Sequence, residues 1–376
     1  MKRNLTIAIV ISATLAFVAC KKEDKKPDPG TQTQQTQTTE QKPPQPISQR
    51  ELKLRILAIF EAINNRDVAK LGEFIADDAV LEYVDSDPSH GVKGKAEILK
   101  GAEEFFKAFP DAKNEASLVL MNGKNEIVVV HTMTGTNSGE FMKRPATNKA
   151  VGVMAARHLV TSPEGKIVKE TVYTDPTTMM GQLGLLPPEL KFRPVAEFTG
   201  NPPKVVATSD SDIELKNLDV IKNIGLAMNA HNAEKTMSYY TDDAVFAYLP
   251  GPEDMTGKEA IRKGLDEWLQ MTSDVKVKFD WSWAAGDYVV AATTANGTND
   301  GAMPGGMPAT GKTFQTHELH VYEFANGQVK HQWIFGNGFA FALQLGLVPP
   351  PGEHPAGAPG TEGAAQPTEG AAQPAK

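Results

Sequence analysis

Asp175 and Asn337 occupy the same place in two similar stretches, DPTTMMGQLGLLPP (175–188) and NGFAFALQLGLVPP (337–350). A carboxyl group in an apolar cavity has its charged form destabilised, so its pKa rises toward the range in which it can donate a proton. An asparagine amide can orient a carbonyl by hydrogen bonding but cannot protonate it. We therefore predict that Asp175 is the catalytic candidate and that the second copy binds rather than catalyses.

The strand before each of these residues supplies candidate ligand-binding side chains. Because side chains alternate between the two faces of a strand, Tyr173 and Thr171 share a face with the aspartate. By the same rule, Phe335 and Trp333 share a face with the asparagine, which is itself a ligand-binding candidate. If this face lines a pocket, the first copy has the more polar lining and the second copy the more aromatic one.

Two histidines are spaced identically from these residues. His158 lies 17 positions before Asp175, and His320 lies 17 positions before Asn337. We interpret His158 as a second catalytic candidate and His320 as a ligand-binding candidate, with hydrogen-bonded structural histidines as the alternative. Asp175 also has an alternative, because Asp-Pro after a strand commonly opens a turn or caps a helix.

A metal site is not expected. His317 and His320 point to opposite faces of a strand, and no second cluster supplies the missing ligands. Nucleic acid is also an unexpected partner, because the net charge is −8 and no basic stripe is present.

These residues belong to an internal repeat that must position them. GTNSG (135–139) matches GTNDG (297–301), and RPATNK (144–149) matches MPATGK (307–312). The repeat length is that of a domain. We predict two homologous domains at 48–188 and 213–350, joined by a partly polar, proline-containing linker at 189–212.

Each copy has helical patterns first and strand patterns afterwards. Ser48 and Glu51 form a capping box, and Leu52, Ile56 and Phe60 follow at helical spacing. Runs such as EIVVVHTMT and AVGVMAARHLVT are typical of strands. Helices followed by strands predict an α+β domain with a mainly antiparallel sheet, and three amphipathic helices suffice to cover one face of it.

The two ends differ from this body. Residues 1–19 have a positive start and an apolar run, which is typical of a secretory signal peptide, and FVAC resembles a lipoprotein box that would lipidate Cys20. An ordinary signal with an incidental cysteine is the alternative. Residues 20–47 are a polar tether and 351–376 a low-complexity tail, both expected to be disordered. We predict a lipid-anchored envelope protein, with the outer membrane favoured over the inner one.

The ordered motifs DDAV, GK, GTNSG, PATNK and QLGL, present in both halves with small changes, resemble the SnoaL-like polyketide cyclase family of the nuclear-transport-factor-2-like superfamily. The resemblance implies cone-shaped α+β barrels, each with a curved sheet wrapped around three helices and a deep apolar pocket. It also implies a pocket aspartate acting as general acid/base without metal or cofactor, which Asp175 matches, and a pocket histidine, which His158 matches. Exposed sheet faces in this superfamily commonly pair, so the two domains are candidates for pairing.

Two function classes follow from this resemblance. The first, which we favour, is a non-catalytic envelope protein whose barrel pockets bind small apolar molecules. The second is a metal-free cyclase, isomerase or hydrolase in which Asp175 is the general acid/base and His158 or Tyr173 positions the substrate. In the second class Asn337 makes the second domain degenerate.

Overall fold

The computed structural model describes residues 46–85, 91–187 and 189–348. The predicted signal peptide, Cys20, the tether up to residue 45 and the tail from residue 351 lie outside them. No helix among the described residues is long and apolar enough to cross a membrane.

The first domain begins with helices and ends with strands, apart from one final short helix. Its elements are α1 (Gln49–Asn65), α2 (Val68–Phe74), β1 (Ile75–Tyr83), β2 (Val92–Lys93), α3 (Lys95–Ala108), β3 (Lys113–Met121), β4 (Glu126–Thr136), β5 (Ala150–Thr161), β6 (Ile167–Tyr173) and α4 (Pro176–Gln182).

The second domain repeats this order. After β7 (Lys204–Ala207) come α5 (Asp212–Asn229), α6 (Ala233–Met237), β8 (Tyr240–Tyr248), β9 (Met255–Thr256), α7 (Lys258–Met271), β10 (Lys276–Ala285), β11 (Tyr288–Thr298), β12 (Thr313–Ala325), β13 (Gln328–Phe335) and α8 (Gly338–Leu345).

The first helix of each domain begins at a capped serine. The hydroxyl of Ser48 accepts a hydrogen bond from the backbone N–H of Glu51, which satisfies one free donor of the first turn of α1. Ser211 and Glu214 form the full reciprocal capping box at the start of α5. The buried residues of α1 recur at helical spacing, which fixes the face that it presents to its sheet.

The strands form two sheets with the same internal order. The strand order of the first sheet is β2-β1-β6-β5-β4-β3-β7. The strand order of the second sheet is β10-β11-β12-β13-β8-β9, which is the same arrangement written from the opposite edge. In the first domain β1 pairs in parallel with β6, and in the second domain β8 pairs in parallel with β13. The other strand pairs within each domain are antiparallel. The segment between the domains adds β7, which pairs in parallel with β3. The α+β class and the two-domain architecture are confirmed, although over the described residues each sheet is open rather than a closed barrel.

The two sheets pack against each other. The largest core cluster draws Leu120, Val128 and Val130 from the first domain and Val290 and Leu319 from the second. We call this side of each sheet the paired face. Every strand therefore alternates between the paired face and a second face, which we call the helical face.

Helices cover the helical face of each sheet. In the first domain Ile56 and Phe60 of α1 pack with Val129 of β4 in one apolar cluster. In the second domain Ile221 of α5 packs with Val289 of β11 in another. Both faces of the central strands are therefore buried, which explains why the sequences of these strands are nearly continuous apolar runs.

Candidate functional site

Asp175 caps helix α4. Its carboxylate accepts hydrogen bonds from the backbone N–H groups of Thr177 and Thr178, at 3.3 and 2.8 Å, and from the Thr178 hydroxyl at 2.8 Å. The side chain is buried. Burial raises the pKa of Asp175, while the hydrogen bonds from Thr178 and Thr177 oppose the rise.

Asn337 caps helix α8 in the same way and, like Asp175, also reaches the other domain. Its Oδ1 accepts from the Ala340 backbone N–H at 3.0 Å, and its Nδ2 donates to the Val84 carbonyl at 3.2 Å. The Asp175 carboxylate accepts from the Gly338 backbone N–H at 3.1 Å. The repeated stretch of the sequence is therefore a pair of helix caps that meet across the seam between the domains.

A pocket of about 410 Å³ opens between the paired faces of the two sheets. It brings together three residues singled out from the sequence, His158, Thr171 and Tyr173, and adds Trp281 and His317 from the second domain. Its other lining residues are Glu82, Tyr83, Val84, Asp85, Gly91 and Lys169. Asp175 is not among the lining residues of this pocket. This pocket lies between the two domains, whereas the resemblance implies a pocket inside each barrel.

His158 forms one wall of the interdomain pocket. Its ring lies against that of Trp281, with centroids 4.4 Å apart and planes inclined by 37°. Its Nε2 lies 3.0 Å from Oε2 of Glu126. Burial lowers the pKa of His158 more than Glu126 raises it, and the charge of Lys169 adds to the lowering. The imidazole is therefore biased toward its neutral form.

Tyr173 and Asp85 form the floor and a side wall. Burial raises the pKa of Tyr173 to about 12, and the carboxylates of Asp280, Asp85 and Glu82 add to the rise. Asp85 joins the domains, because its carboxylate accepts from the His317 backbone N–H at 3.0 Å and lies 2.5 Å from His317 Nδ1. These groups place negative charge around the Tyr173 hydroxyl.

The internal repeat gives this pocket an equivalent position on the other side of the interface. There, Trp333 and Phe335 stand where Thr171 and Tyr173 stand in the pocket, as the register of β12 with β13 and of β5 with β6 shows. Phe335 is fully buried in the interdomain cluster, and Trp333 packs against that cluster. These two predicted ligand-binding residues therefore fill the interface, with Trp333 stacked on His331 at 3.6 Å.

The register also corrects the expected equivalence of the two histidines. His158 pairs with Val128 of β4, whereas His320 pairs with Ala291 of β11, the counterpart of Val129. The true counterpart of His320 is Arg157. Since one residue of shift moves a side chain to the opposite face, His158 lies on the paired face and His320 on the helical face.

His320 belongs to a buried polar network on the helical face of the second domain. Its Nε2 lies 3.1 Å from the Thr293 hydroxyl and 3.2 Å from Glu318 Oε2. Its Nδ1 lies 3.0 Å from the Tyr322 hydroxyl and 3.1 Å from Gln332 Nε2. The imidazole has bonding partners on both nitrogens, which is typical of a structural histidine and also of one held in place for a ligand.

The matching network of the first domain was not found from the sequence. Arg157 donates from Nε to His131 Nε2 at 3.0 Å and forms an ion pair with Glu170. Burial lowers the pKa of His131 well below its usual value, and the Arg157 charge adds to the lowering. The repeat itself contained a signal for this network. GTN recurs after 162 positions, whereas PATNK and PATGK are 163 positions apart, so the second copy has one extra residue between these motifs and Arg157 aligns with His320.

Asn137 and Asn299, at equivalent positions of the two domains, have structural roles. Asn137 donates to the carbonyls of Ala108 and Gly139 and accepts from the backbone and hydroxyl of Thr147. Asn299 makes the same four bonds to the corresponding groups of the second domain. Over the described ranges, no cluster of three or more His, Cys, Asp or Glu residues is placed to hold a metal ion.

Comparison with known proteins gives a family and a set of similar folds. The family model for SnoaL-like polyketide cyclases matches residues 54–183 and 220–345. AclR from Streptomyces galilaeus is 26% identical over 37% of this chain and 100% of its own, with a TM-score of 0.33. IdmH from Streptomyces antibioticus is 27% identical over 36% of this chain and 99% of its own, with a TM-score of 0.32. No curated protein sequence matches the chain. The two family-model matches together span more than half of the sequence, and the chain therefore belongs to the SnoaL-like polyketide cyclase family, whose domain it carries twice in tandem.

Proposed function

We propose that the protein binds small, largely apolar molecules in the interdomain pocket, without catalysis, while Cys20 anchors it to the cell envelope. The observation that carries this proposal is the contrast between two equivalent positions of one interface. At one position Trp333 and Phe335 fill the space, and at the other Thr171 and Tyr173 leave a pocket. A gap in an interface loses dispersion contacts, and a bound ligand would restore them.

The size and lining of the pocket support a small-molecule ligand. Its volume of about 410 Å³ lies within the range of roughly 300–1,000 Å³ common to such sites. Trp281 supplies an aromatic surface, and the hydroxyls of Thr171 and Tyr173 supply hydrogen-bonding groups that can orient a ligand. This combination of apolar walls and a few polar groups is characteristic of binding sites.

The position of Asp175 supports binding without catalysis. A general acid must reach the atom that it protonates, at about 2.6–3.2 Å or through one water molecule. The Asp175 carboxylate instead accepts bonds from Thr177, Thr178 and Gly338 within the domain seam. Protonating a substrate would require breaking this cap.

The enzyme alternative retains one supporting observation. Burial raises the pKa of Asp175, which is the direction that a general acid requires. In this alternative Asp175 is the acid/base of a cyclase, isomerase or hydrolase, and the second domain, with Asn337, has no equivalent acid.

The envelope location rests on the first twenty residues. The apolar run that closes on Cys20 favours export and lipidation, and the polar segment after it would hold the body away from the membrane. Lys21 follows the cysteine, which favours the outer membrane over the inner one.

Native mass spectrometry of the full chain tests the binding function. The wild type should carry a small molecule as a mass adduct. Thr171→Trp copies the residue that fills the equivalent position, so it should remove the adduct while the protein stays folded. Thr171→Val keeps the volume of threonine and should retain the adduct. An adduct that persists in Thr171→Trp, or the lack of one in all three proteins, would contradict the proposal.

A further inference from the structure

We propose that the ligand of the interdomain pocket is a small organic cation, an amine or quaternary ammonium group on an apolar body. This inference rests on the proposed function and specifies the chemical class that the same pocket selects. It stands on the placement of carboxylates and aromatic rings in the pocket and on what replaces them at the equivalent, filled position.

Two carboxylates line the pocket, and both come from the end of β1 and the residues that follow it. Glu82 lies at the end of β1, and its Oε2 is 2.8 Å from the ammonium group of Lys169, which leaves this pair neutral as a unit. Asp85 follows β1 and is buried against His317. Among the described lining residues, Asp85 is therefore the carboxylate that is paired with a histidine rather than with a lysine. A third carboxylate, Asp280, lies on β10 next to Trp281, outside the lining, where it is paired with Lys278 at 2.9 Å.

The effect of these carboxylates is seen at Tyr173. After burial, the largest contributions that raise the pKa of its hydroxyl come from Asp280, Asp85 and Glu82. All three act against the appearance of a negative charge at this point in the pocket. The same electrostatic field that disfavours a phenolate favours a cation at that point.

Aromatic rings provide the second requirement for a cation site. Trp281 and Tyr173 both line the pocket, and indole and phenol faces attract ammonium groups when water is excluded. His158 does not compete as a cation, because burial lowers its pKa. The neutral imidazole instead supports one side of the indole ring.

The two lining carboxylates have no counterparts at the equivalent position. The strand registers place Ala247 at the position equivalent to Glu82, since these residues pair with Trp333 and Thr171 respectively. Pro250 stands at the position equivalent to Asp85, one residue after the interface residues Val84 and Leu249. The two lining carboxylates thus accompany the pocket and are replaced by uncharged residues at the equivalent position, which is the pattern expected of a site built for a charged ligand.

Isothermal titration of the full chain with three probes, each an aromatic ring with a trimethylammonium or tert-butyl group, tests this inference. The probes are phenyltrimethylammonium, the neutral tert-butylbenzene and the anionic 4-tert-butylbenzoate. We expect the cation to bind about tenfold more tightly than the neutral probe, and the anion to bind more weakly than both.

Two variants at the pocket rim should change cation affinity in opposite directions. Glu82→Gln removes a negative charge and should weaken phenyltrimethylammonium binding by about fivefold, whereas Lys169→Gln removes the positive charge and should strengthen it by a similar factor. Neither variant should change the binding of tert-butylbenzene. A merely structural role of the Glu82–Lys169 pair would weaken binding of every probe in both variants, and that result would overturn the inference.

The outcomes separate this inference from the proposed function. If tert-butylbenzene binds as tightly as the cation and Thr171→Trp abolishes its binding, the inference fails while the binding function stands. If no probe binds and no adduct is found on the wild type, both fail.

Discussion

The carboxylate of Asp175 and the backbone N–H of Gly338 are hydrogen-bonded at 3.1 Å across the seam between two domains. The residue that the sequence marks as the acid of the first copy is thus bonded to the start of the helix that the second copy caps with Asn337. This contact joins the two halves of the repeat at the position where the first has a carboxylate and the second an amide.

Asp175→Asn should retain the small molecule that we propose for the pocket, because the amide oxygen can still accept from the Thr178 backbone and the carboxylate does not line the pocket. Asp175→Ala removes the cap and should lower the free energy of unfolding by about 1–2 kcal/mol. Urea unfolding measures the loss of stability, and native mass spectrometry measures ligand retention. If any substrate is found, complete loss of turnover in Asp175→Asn with the ligand still bound would support the enzyme alternative instead.

Glu214→Gln should destabilise the second domain in a pH-dependent manner. Burial alone would raise the pKa of Glu214, but hydrogen bonds from the backbone N–H groups of Gly286, Ser211 and Ser209 lower it below the usual value of 4.5. The carboxylate therefore stabilises the fold above that value, and the contribution is lost as the pH falls through the lower folded pKa.

We expect the variant to lose about 1–3 kcal/mol at neutral pH, since the amide cannot accept all of these bonds. The difference from the wild type should shrink as the pH falls below about 4. Urea unfolding across this range checks both statements. A deficit that stays constant with pH would show that the charge of Glu214 has no part in it.

Arg157→Met should destabilise the first domain, because it leaves the partly buried carboxylate of Glu170 without its partner. The expected loss of unfolding free energy is about 3 kcal/mol. The double variant Arg157→Met/Glu170→Leu should recover the part due to the unpaired carboxylate, while the hydrogen bond to His131 stays lost. Urea unfolding of both proteins provides the comparison.

Lys100→Met is the matched control for that series. It breaks the ion pair of Lys100 with Glu97, which is 4.0 Å long and has 64% of each side chain exposed. The expected loss is below about 0.5 kcal/mol. If Arg157→Met lowers the unfolding free energy by no more than Lys100→Met does, solvent screens the Arg157–Glu170 ion pair despite its partly buried position.

Cys20→Ser should release the protein from the membrane. A thioether-linked lipid requires the cysteine sulfur, so labelling with radioactive palmitate should disappear and the protein should move to the soluble fraction. Lys21→Asp is the matched variant, expected to keep the label and to change only which membrane carries it. If the wild-type protein carries no palmitate label, Cys20 is not lipidated and belongs to an ordinary signal peptide.

The fold followed from the sequence because its signals are local. A capping serine, a helical spacing or an alternating strand pattern depends only on residues that are close along the chain. The repeated motifs indicate the duplication of the domain. The pairing of the sheets is different, because both faces of the central strands are apolar and alternation alone cannot tell which face meets helices and which meets the other domain.

The candidate site depends on local and on distant signals. Alternation grouped Thr171 with Tyr173, and both of them line the described pocket together with His158. Trp281 and His317 come from more than a hundred positions further along the chain, so no local pattern indicates them. Equating His158 with His320 ignored a one-residue insertion between GTN and PAT, and that single residue exchanged the faces on which the two side chains lie.

Covalent fusion of the two domains has a consequence for stoichiometry. Two identical subunits related by a twofold axis would present every interface position twice, so any substitution that opens a cavity on one side opens it on the other. Joining the copies in one polypeptide breaks that constraint, and Thr171 and Trp333 could diverge at equivalent positions. A saturated chain should accordingly hold one ligand molecule, where a symmetric ancestor would have held two or none.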